Sequence, residues 1–228
     1  MDHHSPLADI EQRMQSAALD KALLVETWNG ANRSLLMSVL DGGQDHRFLV
    51  GMCHRPDNSE DQCRLLKHTA LAGVRMLTAD VDADHAVCRE LDRREKLLIT
   101  HAESGIGHLC RTLVRTCGAL PGLRIYVPHI GWPMKEGSLD PDWEPAMKEL
   151  TAIPSIIFGI SAIPHFSRCP FPHNDVRDTA LELIARLPLA RIAIGSDYPL
   201  MEKDRYDDYL RIARTWVTSI YPEWSFTF

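Results

Sequence analysis

Three apolar segments end by presenting a group that can do acid–base or metal chemistry. RIAIGSDYPL, residues 191–200, runs through isoleucines into Gly-Ser and delivers Asp197. RIYVPHI, from Arg124, ends at Pro128 and His129, and Gly131 follows. KLLITHA, from Lys96, ends at His101. A carboxylate held fixed and partly desolvated can take a proton from water or ligate a metal ion, and an imidazole beside it can relay a proton or hold a ligand. Each residue also has a plain structural reading, since Ser-Asp-Tyr-Pro is good turn chemistry and a lone histidine at a strand end often only satisfies its neighbours. Two histidines and an aspartate at the same end of three such runs argue for a shared site.

Seven runs read as buried strands, beginning at Lys21, Arg47, Gly73, Lys96, Arg124, Ser155 and Arg191. They are nearly continuous in apolar residues, as parallel strands covered on both faces are. Strand alternation would put Asp197 on one face with Ala193 and Gly195, with Ile192 and Ile194 on the helix side, and would put His129 on one face with Ile125 and Val127. Between the runs lie helical patterns. Ser5-Pro6 opens one with Leu7, Ile10, Met14 and Ala17 on a face. Ser59 with Gln62 reads as a capping box whose helix ends at Gly73. Asp140-Pro141 opens a third, Asn174 a fourth with Val176, Ala180, Leu183, Ile184 and Leu187 inward, and the last runs from Asp204 to about Thr218.

Strand–helix alternation specifies a parallel sheet, either a closed (β/α)8 TIM barrel or an open doubly wound sheet. Polar residues end almost every run: Glu26, His54 with Arg55, Thr78, His101 with Glu103, His129, Ser161 and Asp197. A barrel gathers all its strand ends on one rim, so the barrel is expected, and the absence of GxGxxG after the first run argues against a dinucleotide fold. Seven strands are readable where a barrel needs eight. The expectation is one barrel domain over residues 1–228 that lacks its first strand; a gene beginning upstream of Met1 would complete the site, and one beginning at Met1 would favour a remnant.

The 228 residues suit one such domain, and 45% apolar with 25% charged residues is ordinary for a soluble enzyme. The net charge of −6, with basic residues scattered among acids, leaves no stripe for nucleic acid. No apolar segment is long enough for a membrane span or signal peptide, and six cysteines without a CxxC pair read as reduced thiols of a cytoplasmic protein. The expected partner is a small-molecule substrate. Two open sheet edges would invite pairing with another chain, which leaves a homo-oligomer open.

HIGWP at 129–133 with Trp143 and Met147, FGIS at 158–161 and IAIGSDYP at 192–199 resemble the amidohydrolase-related superfamily of TIM-barrel metal-dependent hydrolases, in its lactonase-like branch. DKALLVETWNGANRSLL, FLVGMCHRPD and LAGVRML extend the resemblance over essentially the whole chain. The resemblance implies Asp197 as general base for the attacking water and as a metal ligand, His129 as the group that polarises substrate, and His101 as a metal ligand. It also implies a divalent ion, zinc or manganese. The HxH that supplies two ligands in the family is missing, and the adjacent His3 and His4 cannot imitate it because neighbours on an extended chain face opposite ways. A tight metal site is therefore not expected.

Thr78 stands where many relatives carry an arginine for acidic substrates, so Arg55 is a candidate for substrate binding, with His54 beside it and Trp28 walling the cleft. His165 could also approach the cleft. Glu26 reads as a supporting partner, and His46, His68, His85, His108 and His173 as solvated. The expected activity is hydrolysis of a small lactone or related cyclic ester by water activated at Asp197 with help from His129. The alternatives are a metal-dependent decarboxylase of a small aromatic or muconate-like acid, and a non-catalytic truncated remnant.

Overall fold

The computed structural model describes residues 7–42, 47–135, 138–197 and 205–225. In chain order these form α1 (Leu7–Ser16), β1 (Ala22–Val25), α2 (Arg33–Gly42), β2 (Phe48–Cys53), α3 (Ser59–Leu65), β3 (Leu71–Arg75), α4 (Ala86–Arg93), β4 (Leu97–Ile99), α5 (Ile106–Ala119), β5 (Arg124–Val127), β6 (Met134–Lys135), β7 (Ser138–Leu139), α6 (Trp143–Thr151), β8 (Ile156–Ile160), α7 (Arg177–Ile184), β9 (Ile192–Ile194) and α8 (Tyr206–Ile220). Seven strands pair in parallel in the order β1-β2-β3-β4-β5-β8-β9, and β6 with β7 makes a small antiparallel hairpin. The sheet curls into a half-barrel with helices around it, the TIM-barrel-like α/β fold expected from the seven apolar runs. His3, His4, His46, the proposed helix start at Ser5 and Asp204 lie outside the described residues.

Two apolar clusters show which way each strand faces. Ala22, Leu24, Phe48, Val50, Leu98, Ile125, Val127, Ile156, Phe158 and Ile192 pack in the large cluster with the helices. Leu23, Val25, Ala72, Leu97, Ile99, Tyr126, Ile157 and Ala193 fill the concave interior. Small residues make that interior possible. A Cβ on Gly51 would strike Ile99, and one on Gly159 would strike the Tyr126 ring at Cζ, 2.7 Å away.

Several local expectations change. Ser59 and Gln62 are no capping box: the Ser59 hydroxyl turns back to the Pro56 carbonyl, and the Gln62 amide serves the loop after β2 instead. Gly73 sits inside β3, not at the end of α3, because its missing Cβ admits the Leu97 backbone. Asn174 starts a single 3₁₀ turn, and α7 proper begins at Arg177, although Ala180, Leu183, Ile184 and Leu187 do point inward. Among the described residues no helix is long and apolar enough to cross a membrane, and all six cysteines are free thiols.

Candidate functional site

A cavity of about 720 Å³ opens at the carboxyl ends of the strands and continues between β1 and β9. Arg75, Tyr126, His129, Ser161 and Asp197 supply polar groups to its wall. Two of the three chemistry-bearing residues named from the sequence, His129 and Asp197, therefore share one cavity.

Neither arrives by strand alternation. β9 ends at Ile194, and Asp197 follows three residues later in a left-handed conformation with φ of 58°. Ile125 and Val127, expected to share a face with His129, belong to the helix side. His129 reaches the cavity because the chain after Pro128 makes four left-handed residues in a row: His129, Ile130, Gly131 and Trp132 have φ of 57°, 53°, 69° and 58°. Only Gly adopts such angles without steric cost, and Cβ contacts charge the other three about 1–2 kcal/mol each.

The turn is held at many points. Pro128 and His129 carbonyls accept from the Gly131 and Trp132 amides at 3.0 and 2.9 Å, and the fully buried Trp143 donates its indole N–H to the Ile130 carbonyl at 2.8 Å. Strain of this kind persists only where the surrounding contacts over-determine it, and here it lies at the cavity wall.

The electrostatics of the cavity sort its groups. Burial raises the proton affinity of the Asp197 carboxyl, against the opposing charges of His165 and Arg75. Burial, with the positive charges of His101, Arg75 and His165, pushes the His129 pKa down to about 3, so its imidazole is neutral at any working pH. Its Nδ1 lies 2.9 Å from Ser161 Oγ, which also accepts from the His129 amide at 3.3 Å. The His165 Nε2 stands 3.8 Å from an Asp197 oxygen, and its ring lies against Trp132, which also meets His129 edge-on with centroids 5.6 Å apart.

Arg75 is the residue the sequence reading missed. It ends β3, its guanidinium lies 4.2 Å from the centre of the Trp28 ring, and it donates to the Glu26 carbonyl at 3.1 Å. It is close enough to shift the proton affinities of Asp197, His101 and His129. A bulge turns it inward: Val50 pairs with Leu71 but Gly51 with Gly73, so Ala72 is extra. The available signal was a charge at the end of an apolar run, the criterion already applied to the other strands.

The remaining candidates fall around this centre. His101 packs by Trp28 with ring centroids 5.8 Å apart; burial and Arg75 lower its proton affinity, and its Nδ1 is buried without a partner among the described residues. Trp28 is half exposed and supports Arg75. Arg55 spends its guanidinium on the Glu26 carboxylate at 2.8 Å. Glu26 is fully buried and also takes Arg33 and the Cys53 amide, the supporting role read from sequence. His54 is buried with Nδ1 2.7 Å from the Gln62 side-chain oxygen and its ring against His85. His54 and Arg55 are thus tied into the loop after β2 rather than into the cavity wall. His173 is not solvated: it is buried against Tyr209 with Nδ1 on the Cys169 carbonyl. His85 likewise caps α4 by accepting from the Val87 amide.

A curled parallel sheet with a carboxylate, a neutral imidazole and a guanidinium at the carboxyl ends of its strands defines an α/β-barrel enzyme with a polar cleft. The chain belongs to the amidohydrolase family, whose model matches residues 6–215. Solved structures agree on the fold. A probable 2-pyrone-4,6-dicarboxylic acid hydrolase from Acinetobacter baumannii, bound to citric acid, superposes with a TM-score of 0.75 at 14% identity over 95% of this chain and 84% of that one. An amidohydrolase from Burkholderia multivorans with bound zinc gives 0.70 at 17% identity over 94% and 81%. Amidohydrolase 2 from Bifidobacterium longum subsp. infantis gives 0.60 at 12% identity over 96% and 88%. Curated proteins give no match. The protein is accordingly a hydrolase-type enzyme of this family.

The family is generally metal-dependent, so the fit of an ion matters. Among the described residues no three His, Cys, Asp or Glu side chains converge as ligands. His101 has an uncommitted Nδ1, but the His129 Nδ1 is engaged by Ser161, and the Arg75 cation bears on both histidines and on Asp197. A divalent ion would meet that positive charge with too few ligands. These residues do not fit a tightly held ion.

Proposed function

We propose that the cleft hydrolyses a small lactone or related cyclic ester that carries a carboxylate. The observation behind this reading is the Arg75 guanidinium in one cavity wall with Asp197 and a neutral His129. A half-buried arginine pairs well with a substrate carboxylate, and Arg55, tied to Glu26, is replaced by Arg75 as the anchor. Asp197 takes a proton from water as the oxygen attacks the ring carbonyl carbon, whose π electrons move onto its oxygen. When the Ser161 hydroxyl donates to His129 Nδ1, the ring proton sits on Nε2, which then donates to the developing oxyanion. Collapse breaks the bond to the ring oxygen, which leaves with the proton held by Asp197. Lactone and water become one hydroxy acid.

The burial that raises the Asp197 proton affinity suits a general base, because it brings the carboxylate nearer the working pH. The decarboxylase alternative depends on a metal-held substrate, and no observation favours it or the non-catalytic remnant. The test is a panel of six-membered lactones with and without a carboxylate, including 2-pyrone-4,6-dicarboxylate. The expected result is hydrolysis of the anionic members at least about tenfold better in kcat/KM, roughly the 1.4 kcal/mol of one charge-assisted hydrogen bond. Arg75→Met should erase the preference. Equal turnover of neutral and anionic lactones, or no turnover of any, overturns the reading.

A further inference from the structure

We propose that the Tyr126 hydroxyl is a second catalytic donor to the carbonyl oxygen, acting from the floor of the cavity. This rests on the reading of the cleft as a lactone hydrolase. Tyr126 is the inward-facing residue of β5 and lies in the cavity wall with Arg75, His129 and Asp197.

Its direction is fixed by its neighbours. Tyr126 pairs in register with Ile157, yet the group its ring and hydroxyl press against is Gly159, two residues further toward the carboxyl end. The side chain therefore leans up the barrel by one strand repeat, about 6.6 Å, toward the rim where Asp197 and His129 emerge. Gly159 is what permits this. A Cβ there would collide with the hydroxyl oxygen and would stand 2.7 Å from Cζ.

The hydroxyl is uncommitted. Among the described residues it has no hydrogen-bond partner, while His129 Nδ1 is engaged with Ser161 and one Arg75 N–H with the Glu26 carbonyl. Tyr126 is only partly buried and lines the cavity, where a bound substrate can supply the partner its hydroxyl lacks. Burial and the charge of Asp197 both make the phenol hold its proton more tightly, so it serves as a donor throughout the working range.

The geometry gives the carbonyl oxygen two donors, the His129 imidazole from the rim and the Tyr126 hydroxyl from below, with the carbon between them open to water at Asp197. The hydroxyl donates a hydrogen bond and does not surrender its proton. The contact strengthens as charge gathers on the oxygen, so it contributes more to the transition state than to the bound lactone.

The experiment compares wild type, Tyr126→Phe and Gly159→Ala, each as the full chain, with two probes of one ring. One probe is a six-membered lactone carboxylate. The other is the corresponding cyclic phosphonate, a stable anionic mimic of the tetrahedral intermediate. Tyr126→Phe should lower kcat about 10²-fold, the scale of one lost oxyanion donor, and weaken phosphonate binding by a similar factor while lactone binding changes less than about twofold. Gly159→Ala keeps the tyrosine and displaces its hydroxyl, so it should show the same selective loss. A parallel loss for both probes, or no loss for either, assigns Tyr126 to packing and overturns the inference. If Asp197→Asn abolishes turnover while Tyr126→Phe retains it, the lactonase reading stands and only the role of Tyr126 falls. Wild type that binds neither probe removes both.

Discussion

Trp143→Phe tests whether the left-handed turn is held in place for His129. The indole is fully buried and its N–H reaches the carbonyl of Ile130, itself only 2% exposed. Phenylalanine keeps the ring near its place but deletes the donor. The orphaned carbonyl costs about 1–3 kcal/mol, and the space left by the smaller ring adds roughly 1 kcal/mol. The expected loss of stability is about 2–4 kcal/mol by urea denaturation. The turn also stores about 3–6 kcal/mol in the left-handed backbones of His129, Ile130 and Trp132.

With one restraint gone, part of that strain is released by movement of His129 and Trp132. A shift of about 1 Å is enough to lower kcat on the order of 10²-fold. Leu150→Ala is the control, because Leu150 is equally buried in the same helix about two turns beyond Trp143 and has no polar group to bond the turn, and it should cost about 2–5 kcal/mol with normal kcat well below the melting point. If Trp143→Phe loses no more activity than Leu150→Ala, the turn is not what places His129.

Three further outcomes follow from the same geometry. The His129 pKa is pushed from 6.5 to about 3, so below pH 6.5 the unfolded chain binds a proton there that the folded protein refuses until about pH 3; stability should fall as pH drops through that window, and His129→Gln should remove part of the slope in denaturation curves taken at successive pH values. Glu26→Leu should destabilise by about 2–3 kcal/mol through the unpartnered Cys53 amide and the freed arginines, whereas Arg55→Ala should leave KM for an anionic lactone within about twofold; a large KM effect would return Arg55 to the substrate. Metal analysis of dialysed protein should find well under one divalent ion per chain, and a full equivalent that resists dialysis contradicts the poor fit of the described ligands.

The sheet was legible because parallel strands covered on both faces need unbroken apolar runs, and all seven such runs became strands. The cleft was legible in outline because every barrel strand ends on one rim, which is how His129 and Asp197 could be placed together from their positions alone. What did not read was backbone that breaks periodicity. The bulge at Ala72 redirects Arg75, and no composition rule marks it. Left-handed His129, Ile130 and Trp132 violate local preference, and contacts such as the Trp143 hydrogen bond to the Ile130 carbonyl, which no local pattern marks, help to hold them. The error over which β5 residues face inward concealed Tyr126, and with it the reason for glycine at 159. Arg55 and His54 misled because a cation or imidazole at a strand end can as well be consumed by a buried neighbour, here Glu26 and Gln62.

The most direct measurement is lactone hydrolysis by Asp197→Asn with its melting temperature taken on the same sample. Burial disfavours the charged carboxylate, a cost present above its raised pKa, so the amide should melt no lower than wild type at neutral pH, and higher if the charge is fully relieved, while turnover disappears. Undiminished turnover, or a protein that loses its fold with the carboxylate, would show Asp197 to be a structural group and leave the cleft without its base.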